Sequence, residues 1–167
     1  MMYLFLILAY LQTYNSITFT PVEVPPITQY IQTKSEVENT VPIDNLVTIH
    51  NDYRTSNGLS VFTVDSKLNS SAQAKADDMC EKNYWEHMSP DGIMSWHLMT
   101  QAGYRYDRAG ENLARNFLSD QTMFDAWLNS PTHLANIIGD YKNIGIGRNY
   151  CGGINYIVVH FGTLVGE

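Results

Sequence analysis

Four short stretches of this chain carry side chains whose chemistry is hard to explain by packing alone. His87-Met-Ser-Pro-Asp-Gly92 sets an imidazole directly before a Ser/Pro/Asp/Gly turn, where a sharply bent backbone lets the side chain point into a cleft. Gly110-Glu-Asn-Leu-Ala114 places a carboxylate beside an amide after a flexible glycine, with loop-like flanks. Trp127-Leu-Asn-Ser-Pro-Thr-His-Leu-Ala-Asn-Ile137 carries His133 and Asn136 on one face of a short turn or helix. Ile144-Gly-Ile-Gly147 is a bare strand whose glycines invite close approach of backbone or of bulky rings. Imidazoles and carboxylates move protons or hold metals near neutral pH. Each also has an ordinary reading: a histidine at a turn is commonly a cap or surface residue, and Glu111 an exposed acid. Spacing alone does not bring His87, Glu111 and His133 together. Acyl-enzyme chemistry has no support, because the chain holds no Gly-x-Ser-x-Gly elbow and neither cysteine sits in a nucleophile setting.

The elements that must position these groups read as helices first and strands last. Leu46, Ile49, His50 and Tyr53 recur at helical spacing behind Asp44 as N-cap, with Gly58 just past the end. His50 falls on the buried stripe of this helix and reads as a core histidine bonded to backbone. An extended piece at Val61–Val64 leads to Asp65 or Ser66 as the next cap. Leu68, Ala72, Ala76 and Met79 then form the stripe of a second helix ending near Asn83. Ile93–Ala102 reads as a third helix stopped by Gly103, and Ser119–Leu128 as a fourth, broken by Pro131. Asn143–Gly147 and Ile154–Phe161 have strand character and are joined through Tyr150-Cys-Gly-Gly153, giving an antiparallel hairpin in an α+β arrangement. His97 and His160 have no recognisable partner and receive no role.

Composition narrows the function. The 167 residues are 44% hydrophobic and 12% aromatic, enough for one domain with a real core. Ten Lys+Arg against 17 Asp+Glu, with no basic cluster, argue against a nucleic-acid partner. Met2–Leu11 is an uncharged apolar run too short to cross a bilayer, which reads as the core of a signal peptide over residues 1–20. Four of the six prolines, Pro21, Pro25, Pro26 and Pro42, mark a linker over residues 21–43, leaving 44–167 as the folded domain. The expected location is secreted or extracellular, or periplasmic or cell-surface in a bacterium, and the chain is not expected to be transmembrane. Cys80 and Cys151 supply one disulfide or two buried thiols. Asn69-Ser-Ser71 is a glycosylation sequon for a host that glycosylates exported chains.

The order and spelling of these clusters resemble the CAP superfamily, also called the SCP domain: cysteine-rich secretory proteins, antigen 5 and plant pathogenesis-related proteins. The resemblance covers nearly all of residues 46–162. It runs through His50-Asn51-x-x-Arg54, Asp65-x-x-Leu68-x-x-x-Ala72, Asn83-Tyr-Trp-Glu-His87-x-Ser-Pro-Asp-Gly92, Gly110-Glu-Asn112, Trp127-x-Asn-Ser-Pro-x-His133-x-x-Asn-Ile137 and Ile144-Gly-Ile-Gly147. The spelling is that of the bacterial-type branch.

This resemblance implies a three-layer α-β-α sandwich with a central antiparallel sheet and a large cleft, lined in animal and plant members by two histidines and two glutamates that can hold a divalent metal. Carried over, these become His87, Glu111 and His133, while the second glutamate falls on Ser130. The remaining trio suits zinc or another divalent ion, which accepts nitrogen and oxygen ligands. In the last strand, polar family residues become Val158 and Val159, which favours an apolar ligand if either faces the cleft, as strand alternation allows at most one to do. The resulting expectation is a secreted binding module rather than an enzyme. Its cleft residues are His87, Glu111, Ser130 and His133, and its ligands are a divalent metal, a small lipid or sterol, or an extracellular protein. The competing expectation is a metal-dependent hydrolase or peptidase using the same residues, and a third is an interaction domain with a vestigial cleft.

Overall fold

The computed structural model describes residues 44–167; the expected signal peptide and Pro-rich linker lie outside the described residues. Helix α1 (Asn45–Ser56) opens at Asp44, whose carboxylate accepts from the Leu46 N–H, and α2 (Ser66–Glu81) opens at Asp65, which accepts from Lys67 and Leu68. Between them runs the two-residue β1 (Thr63–Val64). Asn51 ties α1 to the following loop by bonding both backbone groups of Phe62, and buried Arg54 donates to the carbonyls of Ser60, Ile137 and Gly139.

Helix α3 (Ser95–Gln101) begins two residues later than the apolar pattern suggests, because the Ile93 carbonyl accepts from the Ser89 N–H and Met94 pairs with Met88 in an extended bridge, which commits both residues to the preceding turn. Two further expectations change. Gly110–Ala114 is no loop but lies inside β2 (Tyr106–Arg115). Its mixed side chains hide the strand because one edge and both faces are covered by different partners. Pro131 does end α4 (Asp120–Leu128), yet it also starts α5 (Pro131–Ile138), where a first-turn proline lacks only an N–H that has no helical partner anyway.

Strands β3 (Asn143–Cys151) and β4 (Ile154–Leu164) form the expected hairpin, its two-residue turn made by Gly152 and Gly153 at φ +56 and +80. The sheet order is β1-β3-β4-β2, with the three long strands antiparallel and β1 joined to β3 in parallel. On one face, α1, α4 and α5 bury Leu46, Phe124, Trp127 and Ile137 against Ile144, Val159 and Phe161. On the other, α2 buries Ala72, Ala76 and Met79 against Leu113, Tyr156 and Val158, and α3 packs Met99 against Leu68 and Tyr104. The result is the α-β-α sandwich.

The two glycines of Ile144-Gly-Ile-Gly147 bring α2 onto β3. A Cβ at Gly145 would stand 2.2 Å from the Leu68 carbonyl carbon, and one at Gly147 2.1 Å from that of Ala72. Helix backbone cannot yield as a side-chain tip does. Gly147→Ala is therefore expected to cost about 3 kcal/mol or more by overpacking, read as a lower urea midpoint at unchanged slope.

Cys80 at the end of α2 and Cys151 at the end of β3 are joined as a disulfide, with Cα atoms 6.0 Å apart and a sequence separation of 71. Closing a loop of that length restricts the unfolded chain by about 4 kcal/mol in the chain-entropy account. Reduction should lower the unfolding free energy by about 2–4 kcal/mol. A free-thiol count of zero before reductant and two after it is the accompanying control.

Candidate functional site

β2 is an edge of the sheet, and two residues of the third sequence cluster, with Tyr141 just beyond it, close that edge. The outward carbonyls of Ala109, Glu111 and Leu113 accept from Tyr141 Oη, Asn136 Nδ2 and Trp127 Nε1, at 3.4, 3.0 and 3.2 Å. An exposed edge would otherwise offer these groups to another chain. Asn112 accepts from Asn136 and donates to the His133 carbonyl, so the same stitching sets α5, and His133 with it, against β2.

His87 arrives from the other side, on the connection between α2 and α3. Buried Lys75 donates to the His87 carbonyl at 2.8 Å and to Tyr84 Oη at 3.0 Å. Beyond it, Ser89 Oγ accepts from the Asp91 and Ile93 N–H groups and Gly92 takes φ +79, which accounts for the Ser-Pro-Asp-Gly spelling. The two imidazoles line one cleft of about 210 Å³ with Trp85, Glu86 and Leu113.

Each ring has its Nδ1 occupied. His87 Nδ1 donates to Glu111 Oε1 at 2.7 Å, and His133 Nδ1 lies 2.7 Å from Ser130 Oγ. The Trp127 ring stacks on that of His133. Glu111 itself is buried and fully engaged: its Oε2 accepts from His160 Nε2 at 3.0 Å and from Ser95 Oγ. Burial alone would push this carboxyl up, but the bonds from His160 and His87 lead the effects that overcome it and hold it at about 2. Hydrogen bonding to Glu111 raises His87 against the effect of burial. Burial lowers His133, helped by the charge of His87.

The trio expected from the sequence thus meets, with roles redistributed. His87 and His133 face the cleft, and Ser130 orients His133. Glu111 lies buried behind His87 with hydrogen bonds to both its oxygens, the arrangement of a carboxylate that orients a histidine from behind. Among the described residues no group of three or more His, Cys, Asp or Glu side chains is arranged to hold a metal ion. Two imidazoles with Nδ1 occupied and Nε2 without a protein partner do fit as donors to a cation, whose other ligands would come from outside the chain.

The expectation for the last strand is corrected. Val158 and Val159 are both fully buried, one under α2 and the other against the α1 and α4 side, so neither reaches the cleft. The residue that matters on β4 is His160, to which the sequence assigns no role. Ser71, Lys75, Ser95 and Glu86 are equally unmarked by any motif. Ser71 and Lys75 do carry a signal: both are polar yet buried on the apolar side of α2. Asn69 Oδ1 accepts from the Ile146 N–H, which makes the sequon asparagine part of the α2–β3 seam.

The cysteine-rich secretory protein family, CAP, matches residues 47–161. The uncharacterized protein YkwD of Bacillus subtilis is 36% identical over 110 residues, covering 65% of this chain and 43% of that protein. This chain spans less than half the length of the curated relatives it matches. Among solved structures, an outer surface protein from Borrelia burgdorferi aligns with a TM-score of 0.69 at 23% identity, over 77% of this chain and 96% of that one. An extracellular protein containing an SCP domain from Bacillus anthracis aligns at 0.67 and 21% identity, over 87% and 45%. At these identities the two structures show the fold alone.

Proposed function

The chain belongs to the CAP family of cysteine-rich secretory proteins, and on that premise we propose that it is an extracellular binding module whose cleft takes a divalent cation on Nε2 of His87 and His133. The observation that carries this reading is the pair of imidazoles lining one cleft, each anchored through Nδ1 by a side chain, with no protein hydrogen bond at Nε2. A bound zinc ion would supply a fixed positive charge able to anchor an anionic group of a partner. Extracellular placement draws on the disulfide, on the outer surface protein and the extracellular protein among the structural neighbours, and on the family name. No helix among the described residues is long and apolar enough to cross a membrane.

A sterol or fatty-acid ligand receives less support. The cleft, at about 210 Å³, falls below the roughly 300–1,000 Å³ typical of sites that enclose such molecules. A hydrolase reading has one observation in its favour, the Glu86 carboxylate in the wall beside His87, the one carboxylate there that could serve as base. It requires ester or peptide cleavage that disappears in His87→Ala, in Glu86→Gln and with chelator.

The binding reading is tested by calorimetric zinc titration of the full chain beside His87→Ala and His133→Ala. Wild type should bind one zinc, and each variant should lose at least about tenfold in affinity, or 1.4 kcal/mol. Equal binding by all three would remove the site.

A further inference from the structure

We propose that His160 is the positioning residue of the cleft, acting through Glu111 to fix which nitrogen of His87 faces the ligand. His160 is fully buried in β4, directly across from Glu111 on β2 and from Gly145 on β3. A buried imidazole in an otherwise apolar strand needs partners, and this one has two: Glu111 Oε2 at Nε2 and Ser71 Oγ, 2.8 Å away, at Nδ1.

The hydrogen inventory then decides the arrangement. An ionised carboxylate only accepts, so all three groups facing Glu111 must donate: His87 Nδ1, His160 Nε2 and Ser95 Oγ. Neutral His87 therefore carries its hydrogen on Nδ1 and none on Nε2. Neutral His160 carries its hydrogen on Nε2, so its Nδ1 accepts and the Ser71 hydroxyl must turn toward it. The Leu68 carbonyl, 3.0 Å from the same oxygen, is the competing acceptor. When His160 is protonated on both nitrogens, Ser71 turns to Leu68, and Glu111 still meets a donor. In either state His160 and Ser95 grip Oε2 from inside the sheet, which leaves Oε1 directed at His87. Without His160 the carboxylate keeps only Ser95 behind it and can rotate off the His87 Nδ1.

The consequence for ligand binding rests on the cation reading above, whereas the tautomer itself does not. The test is nitrogen-15 NMR of the imidazoles in the metal-free full chain, followed by zinc titration of the same samples. Wild-type His87 should show the hydrogen on Nδ1. His160→Val should move His87 toward the form protonated on Nε2 and weaken zinc binding about tenfold. Ser71→Ala, a milder change within a helix, should shift both in the same direction. His160→Gln, whose amide can still donate to Oε2, should restore both, which a purely space-filling role would not require. An unchanged His87 tautomer in folded His160→Val would overturn the proposal, and an unchanged tautomer in Ser71→Ala would do so should the valine variant not fold. Failure of glutamine to restore a shifted tautomer would also overturn it. The expected tautomers together with no zinc binding by wild type would overturn the cation reading and leave the positioning role standing.

Discussion

Glu111→Ala should destabilise the domain by about 2–5 kcal/mol, the cost of leaving two buried donors without an acceptor. The alanine leaves His160 enclosed with nothing to receive its Nε2 hydrogen, and it strands Ser95 as well. The sign of the accompanying pH dependence is fixed. The Glu111 carboxyl lies near 2 in the fold against an ordinary value of 4.5, so its contribution is fully present above pH 4.5 and is lost as the pH falls toward 2. That window amounts to about 3 kcal/mol in wild type and should vanish in the variant. Urea unfolding at pH 7 and at pH 3 for both proteins measures it: the gap between them should narrow at the lower pH.

His50 should produce a second loss of stability at milder acidity. Its Nδ1 lies 2.7 Å from the Leu46 carbonyl and donates to it, while Nε2 has no partner and the ring is surrounded by Phe62, Phe124, Trp127 and Phe161. Burial pushes this imidazole down to about 4, with the nearby Arg54 adding to the effect. Between pH 6.5 and 4 the unfolded chain takes up a proton that the folded chain refuses, so stability falls with pH through that interval and levels off below it. The expected loss is about 3 kcal/mol. His50→Phe should reduce the slope between about 6.5 and 4.5, leaving there only the opposed contributions of lowered His133 and raised His87, with the Glu111 window below. An equal slope in the variant would mean that the protons are taken up elsewhere.

These two residues also show what a sequence can and cannot disclose. His50 is legible because helical periodicity places it on the buried stripe of α1 behind a recognisable cap, and burial follows from that period. The helices with clear caps and stripes and the glycine hairpin are legible for the same reason. β2 is not, because Glu111 and Asn112 sit mid-strand and break the alternation; their polarity is satisfied by His160, His87 and Asn136, which lie 49, 24 and 24–25 residues away in sequence. Pro131 reads as a stop, though the same lack of an N–H suits a helix start. The cleft histidines and Glu111 can be named from motif resemblance, but not their division of labour. Whether a carboxylate is a ligand or an orienter depends on which of its oxygens is already bonded, and that is set by register between β2 and β4. Val158 and Val159 stand out as departures from a family pattern, whereas the informative residue is their neighbour His160.

In the proposed function His87 and His133 converge on a single cation at the β2 edge. Diffraction at the zinc absorption edge from crystals of the full chain grown with zinc addresses it directly. One anomalous peak is expected about 2.0–2.1 Å from Nε2 of both histidines, with Glu111 still bonded to His87 Nδ1 and outside the coordination sphere. A peak bound to the Glu111 carboxylate, or no peak in the cleft beside occupied sites elsewhere, would contradict it.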